Sequence, residues 1–281
     1  MAVTITFKMA VVISFSTLQT GSRSQGDLVS VSMPGIPVTQ LRTSGGTRML
    51  YLAWDIDGTL LLTNRAGYDA LQEAICDYFF RKEPYEFKHT LAGCTDSSII
   101  KEIVTDIKGH CTSGWAASLM LKYEMYLKSN LKAHKGYLMP NVEKTLRYLS
   151  ENAPEITNLL LTGNTANGAR DKVAEYGIAR YFDFRHSSYG DLAEERDEVA
   201  KILYTRLLAD GLVKAGETDS IIVIGDTPND TRCAAAIGAR CVIVLAGSEF
   251  KKEDFNDCPP WKMWDKLPDD PADFVKEISE A

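Results

Sequence analysis

Four short apolar runs set the frame of the chain: 49–54 (MLYLAW), 158–161 (NLLL), 220–224 (SIIVI) and 241–246 (CVIVLA). Each is too short for a helix and apolar throughout, the pattern of a strand buried on both faces of a parallel sheet. The second and third open onto polar loops and then onto helix-like stretches, 167–176 (NGARDKVAEY) closed by Gly177 and 228–237 (PNDTRCAAAI) closed by Gly238. Glycine just past a helix end is the usual left-handed cap. Thr227, Pro228 and Asp230 read as an N-cap, a first helical residue and an acidic first turn. Strand alternating with helix predicts an α/β fold, a Rossmann-like doubly wound parallel sheet. Ligands of such sheets bind beyond the carboxyl ends of the strands, which is where this chain puts its polar residues.

Between the first two runs the pattern changes. Residues 66–137 hold helix-like stretches at 67–80, 96–107 and 116–131 and no buried-strand run. They read as an inserted α-helical cap over a core built from 49–65 and 138–281, with a helix at 141–150 returning to that core. The segment 258–271, rich in Pro, Asp and Trp, reads as irregular surface and is assigned no chemistry. Residues 1–48 hold one acid, Asp27, against Lys8, Arg23, Arg42 and Arg48, with abundant Ser and Thr. That is the composition of an organelle transit segment, and equally of a disordered tail or of an upstream extension with Met49 as the true start.

Composition narrows the classes. With 281 residues, 45% hydrophobic and 25% charged, the chain is an ordinary globular protein able to bury a sizeable core. A formal net charge of −7 disfavours a nucleic-acid surface, and no run is long and apolar enough for a membrane-spanning helix. The six cysteines include no C-x-x-C pair, which removes zinc-ribbon and thioredoxin-like readings. Scattered reduced thiols fit a cytoplasmic protein, or an organellar one if 1–48 is a transit segment. The four histidines, His89, His110, His134 and His186, lack metal-ligand spacing.

Three strand-end loops carry candidate chemistry. Asp55 and Asp57, two residues apart after the first run, can face one pocket, and like charges that close repel unless a cation lies between them or one is protonated. A hard divalent ion with oxygen ligands, Mg²⁺, meets that need. One carboxylate is then free to attack phosphorus and the other to act as general acid and base. Thr162-Gly163-Asn164 offers a hydroxyl and backbone N–H groups to phosphate oxygens. Asp226 and Asp230 complete an acidic oxygen cage. Each loop alone reads equally well as a turn; the three together, each at the end of an apolar run, do not.

In order and context, WDIDGTLL, LLLTGNT and VIGDTPND resemble motifs I, II and IV of the haloacid dehalogenase superfamily over about residues 50–248. The resemblance implies Asp55 as a nucleophile forming an aspartyl-phosphate and Asp57 as acid/base. It implies Mg²⁺ held by the Asp55 carboxylate, the Asp57 backbone carbonyl and Asp226, with Asp230 in support and Thr162 on the phosphoryl group. The third motif departs: no Lys-Pro precedes motif IV. The stretch 190–199 (GDLAEERDEV) resembles a phosphoglycolate-phosphatase-like branch, and the cation is assigned to Arg196, with Lys201 the alternative. Leu91 to Asp96 resembles a cap turn of that branch, where Thr95 or Asp96 reads first as a helix N-cap. The family's carbon–halogen hydrolases lack an acid where Asp57 stands, so a small phosphorylated metabolite is expected as substrate, phosphoglycolate before a sugar phosphate. A phosphomutase, and a non-catalytic binding protein on the same fold, are the rival readings. A phosphonate-cleaving enzyme would need a marked cap lysine, and neither Lys101 nor Lys108 is marked.

Overall fold

The first apolar run is a strand buried along its whole length. In the computed structural model, which describes residues 48–280, it forms β1 (Leu50–Trp54). The chain continues through β2 (Leu61–Leu62), α1 (Ala66–Phe79), α2 (Asp96–Lys108), α3 (Ser113–Ala133) and β3 (Tyr137–Leu138). There follow α4 (Val142–Asn152), β4 (Ile156–Leu160), α5 (Ala166–Glu175), α6 (Arg196–Ala209) and β5 (Ile221–Gly225). The last elements are α7 (Pro228–Ile237), β6 (Arg240–Val244), β7 (Lys262–Trp264) and α8 (Pro271–Ser279). The alternative readings of residues 1–48 lie outside the described residues, Arg48 excepted.

Five strands pair in the order β4-β1-β5-β6-β7, all parallel. β1 lies between β4 and β5, with Trp54 opposite both Leu160 and Ile224. Alternation along β1 feeds two cores. Leu50, Leu52 and Trp54 pack with Leu146 and Leu149 of α4, Val173 of α5 and Phe274 of α8. Tyr51 and Ala53 pack with Val199, Leu203 and Leu207 of α6 and Ile237 of α7. Helices thus cover both faces of one parallel sheet, as the four apolar runs require.

Helix ends follow their side chains. The Thr95 hydroxyl accepts the Ser98 N–H at the start of α2, which ends on Gly109 at φ 82. Thr227 and Asp230 form a capping box on α7, with Pro228 in the first turn and Gly238 at φ 69 beyond its end. Helices α1–α3 pack on one another around a third cluster that includes Leu71, Ile75, Ile103, Leu119 and Leu127. They leave the sheet layer after β2 and return at β3, which pairs antiparallel with β2 through Leu61 and Leu138.

The C-terminal segment corrects the sequence reading. Residues 262–264 add β7 to the sheet, and Phe274 of α8 stacks on Trp54 at 5.9 Å between centroids. A three-residue strand set among charges and prolines is too short to show a period. The fourth run also stops early: β6 ends at Val244 and Leu245–Gly247 form a 3₁₀ turn. There Gly247 passes so close to the backbone of Gly58 that no side chain fits between.

Candidate active site

The chain runs from β1 out to β4 on one side and then back to β5 on the other, so β1 is the point at which strand order reverses. Loops leaving such a point splay apart and open a crevice. Asp55 follows β1, Thr162 follows β4 and Asp226 follows β5. Arg196 opens α6, and Asp230 lies in the first turn of α7. Gly58, at φ 89, turns the first loop back toward Asp226, whose carboxylate lies where a Cβ on Gly58 would stand.

These residues converge. Asp55, Asp226 and Asp230, all buried, each present an oxygen within 4.8 Å of the others. Arg196, also buried, reaches Asp55 Oδ1 at 3.1 Å and pairs with Asp230 through the same nitrogen. Both oxygens of Asp230 are engaged by the protein: Oδ1 accepts from Arg196, while Oδ2 accepts the Asp226 N–H, the Thr227 N–H and the Thr227 hydroxyl at 3.2, 3.0 and 2.8 Å. One Asp226 oxygen accepts the Thr59 hydroxyl at 3.0 Å. Asp55 and Asp226 both line the cavity, and each has one oxygen that accepts no side-chain hydrogen bond among the described residues.

Charge is unbalanced here. Against three buried carboxylates stands a single guanidinium, which pairs with Asp55 and Asp230 and is the only cation in contact with the trio among the described residues. Burial pushes the Asp55 carboxyl up to about 6; Arg196 draws it down, and Asp230 and Asp57 raise it again. Burial, then Asp55 and Asp230, hold Asp226 well above the usual carboxylate range. Such a cluster stays ionised only with added positive charge, and two carboxylate oxygens without side-chain partners in a dry site are the donor set that a hard divalent ion takes.

Lys201, the alternative to Arg196, is on the surface with Glu198 at 2.7 Å. Asp57 stands apart from the trio. Its side chain lines the cavity but is gripped from behind by Lys172 and by Asn164 Nδ2, the latter at 2.7 Å. The Thr162 hydroxyl accepts from Asn164 Nδ2 at 2.9 Å, which leaves its own proton free. The expectation of several free loop amides is only partly met. The Thr162 N–H goes to Ser188 O at 3.2 Å and the Asn164 N–H to Thr162 Oγ1 at 3.4 Å, so the Gly163 N–H is the loop amide without an acceptor among the described residues. A side chain on Gly163 would run into Cys94 O, and one on Gly190 into the Gly163 backbone, so neither position has room for one.

Helices α1–α3 roof the site. A cavity of about 580 Å³ extends from Asp55 and Asp226 to Tyr68, Leu71, Phe87, Leu91, Ile99 and Tyr123. The N-terminus of α2 is tied to the strand-end loops. The Asp96 N–H donates to Gly163 O at 2.7 Å, and Asp96 Oδ2 accepts the Thr165 N–H at 2.8 Å. Thr95 Oγ1 donates to Glu194 O at 2.6 Å, and Asn229 Nδ2 to Gly93 O at 2.6 Å. Burial, eased by Lys172, pushes Asp96 up to about 7. Lys101 pairs with Glu194, and Lys108 lies over the Phe79 ring. No histidine joins the carboxylate trio; His186 is held between Asp183 and Asp210.

The family model for haloacid dehalogenase-like hydrolases matches residues 52–244, a span that holds every residue of the convergent site. This chain belongs to that family. No curated protein matches the hydrolase in sequence comparison. Solved structures share its fold at low identity. A hydrolase from Pseudomonas syringae is 17% identical with a TM-score of 0.59, over 83% of this chain and 99% of that one. CbbY from Rhodobacter sphaeroides, solved with phosphate, is 14% identical with a TM-score of 0.59, over 78% and 94%. A predicted phosphoglycolate phosphatase from Haemophilus somnus is 18% identical with a TM-score of 0.57, over 83% and 99%.

Lys172 is the functional residue that motif reading passes over. It follows Asn164 by eight positions in a stretch of mixed polarity, where lysine reads as solvated surface. The available signal was helical spacing: Ala169 and Val173, four apart, define a buried face, and Lys172 falls on it.

Proposed function

We propose that this hydrolase is a Mg²⁺-dependent phosphatase that removes the phosphoryl group of a small phosphorylated metabolite through an aspartyl-phosphate on Asp55. The observation that carries the reading is the convergence of three buried carboxylates, two of them paired with one guanidinium, with charge left over. Mg²⁺ would be held by the Asp55 carboxylate, the Asp57 backbone carbonyl and Asp226, with Asp230 fixing the loop and Arg196 behind it. When bound, the ion supplies positive charge to the carboxylates and to the phosphoryl oxygens.

The chain's own residues then divide the work. The Thr162 hydroxyl, the Gly163 N–H and Arg196 orient the phosphoryl oxygens. One oxygen of the Asp55 carboxylate attacks phosphorus as the bond to the leaving oxygen breaks, and Asp57 gives the leaving oxygen a proton. Asp57, now a carboxylate, takes a proton from the water that attacks the phosphorus, and Asp55 is freed as inorganic phosphate leaves. Residues 66–137 act as a cap that excludes bulk water and receives the leaving alcohol. Their lining of Tyr68, Leu71 and Phe87 favours an alcohol with an apolar face.

The test is turnover of p-nitrophenyl phosphate with and without Mg²⁺ in the wild type and in Asp55→Asn. Mg²⁺-dependent phosphate release that falls by roughly a thousandfold in the variant is expected. Equal rates in the two proteins remove the nucleophile. A panel including phosphoglycolate and sugar phosphates names the substrate. An isomeric phosphate ester formed in place of inorganic phosphate marks a mutase.

A further inference from the structure

Lys172 is the one lysine buried among the described residues, at 3% exposure. Its ammonium makes three contacts: Asp57 Oδ1 at 2.8 Å, Asp57 Oδ2 at 2.6 Å and Asn164 Oδ1 at 2.6 Å. An ammonium has three donors and no acceptor, so none is left for water or substrate. Taking that charge out of water costs several kcal/mol, and an apolar residue of like volume commonly serves a buried position at least as well. Packing of α5 against the core is therefore no reason for a lysine here. What distinguishes the site is its partner, Asp57, whose side chain is 42% exposed and open on its other side to the cavity.

The contacts fix two orientations. Because Lys172 can only donate, Asn164 must turn its carbonyl oxygen toward it. The Asn164 NH₂ is thereby aimed at Asp57 Oδ2 and Thr162 Oγ1, at 2.7 and 2.9 Å. Asp57 Oδ2 then accepts twice, from Lys172 and from Asn164, and both of its lone pairs are occupied. Oδ1 accepts once and keeps one lone pair outward. The Thr162 hydroxyl, an acceptor from Asn164, keeps its proton for another oxygen. A single ammonium thus sets the direction of a carboxylate and, through one amide, of a hydroxyl.

We infer that Lys172 is the positioning residue of Asp57: it holds the carboxyl so that Oδ1 carries the proton to the leaving oxygen. The inference rests on the reading of Asp57 as acid/base. It concerns direction, so it has a signature that general destabilisation lacks. A nitrophenolate leaves phosphorus without a proton, whereas a benzyl alkoxide does not.

The experiment measures kcat/KM, which reports steps through the first irreversible transfer, for p-nitrophenyl phosphate and benzyl phosphate with Mg²⁺. The proteins are the wild type, Lys172→Met, Lys172→Arg, Asp57→Asn and the Lys172→Met/Asp57→Asn double variant. Lys172→Met is expected to lose roughly 100-fold on benzyl phosphate, the scale of general acid catalysis, and about threefold or less on the nitrophenyl ester. In the Asp57→Asn background the same change is expected to alter the benzyl rate by less than about twofold, since the group it orients is gone. Lys172→Arg keeps the charge but cannot direct three donors at one point, so a smaller loss with the same bias is expected; it carries the test if Lys172→Met does not fold. Equal losses on both esters, or a full loss on top of Asp57→Asn, overturn the role of Lys172 while leaving the phosphatase intact. A wild type inactive on both esters removes the phosphatase reading itself, and this role with it.

Discussion

Arg196 stands between the Asp55 and Asp230 carboxylates with almost no water around it. Burial works against its charge, but Asp230 and Asp55 outweigh burial and hold it well above its usual range. Removing one partner from a buried ionic group leaves the rest uncompensated, at about 3–5 kcal/mol. Arg196→Met should therefore lower stability by that order in urea titrations with chelator present, and most of the loss should return with Mg²⁺, which supplies charge to the same carboxylates. Arg196→Lys keeps the charge but not the planar fork; it should stay folded and lose turnover, read as kcat at saturating p-nitrophenyl phosphate. At this scale the sequence was legible wherever a polar residue ends an apolar run. Asp55, Thr162 and Asp226 stand out because a strand buried on both faces tolerates no carboxylate or loop until it ends. Lys172 is legible only as a position on the buried face of α5, and its chemistry is not, because a lysine's stem and charge fit a solvated helix face equally well. Its role depends on Asp57, 115 positions away in the chain.

Among elements, the join between α2 and the strand-end loops is the one most open to test. Thr95 does two things with one hydroxyl: it caps α2 by accepting the Ser98 N–H and donates to Glu194 O across to the loop before α6. Thr95→Val keeps the shape and removes both bonds, so a loss of about 1–2 kcal/mol is expected, together with a raised KM as the roof over the cavity loosens. A change in kcat alone would contradict this. A second clamp ties the loop before residue 190 to the end of α6, where His186 lies between Asp183 at 2.5 Å and Asp210 at 2.9 Å. Burial opposes the imidazolium, but the two carboxylates outweigh it and raise His186 above its ordinary value of 6.5. A group raised on folding stabilises fully below its unfolded value and loses that contribution as pH climbs through the folded one. The Tm gap between the wild type and His186→Gln should thus be widest below the ordinary imidazole value of 6.5 and narrow as pH rises above it; a gap independent of pH would refute the clamp. The apolar runs identified four of the five sheet strands, because strands buried on both faces of a parallel sheet need no alternation to be seen. The edge strand β7 and the β2–β3 ribbon escaped notice, since strands of two or three residues have no period and are specified by their neighbours.

For the molecule as a whole, the parallel sheet and its two helical layers bring loops from distant parts of the chain to one point, where negative charge exceeds positive. A fold that concentrates repulsion there is stabilised by whatever neutralises it. An ion that binds the folded state alone adds about 2.7 kcal/mol at a hundred times its Kd, so Mg²⁺ should raise the wild-type Tm in a concentration-dependent way. Asp226→Asn separates this linkage from a general salt effect. Asparagine keeps an oxygen for the Thr59 hydroxyl, which now donates to Asp226 Oδ1, so packing is preserved while one of three crowded charges is deleted. In chelator the variant should therefore melt above the wild type, since Asp55 and Asp230 no longer face a third carboxylate. With Mg²⁺ the order should reverse, because the one oxygen of the asparagine is held by Thr59 and the atom that takes the place of the second carboxylate oxygen is an NH₂, which offers the ion no ligand. A variant less stable than the wild type in chelator, with an undiminished Mg²⁺ shift, would mean that Asp226 serves the fold and that the ion is held elsewhere.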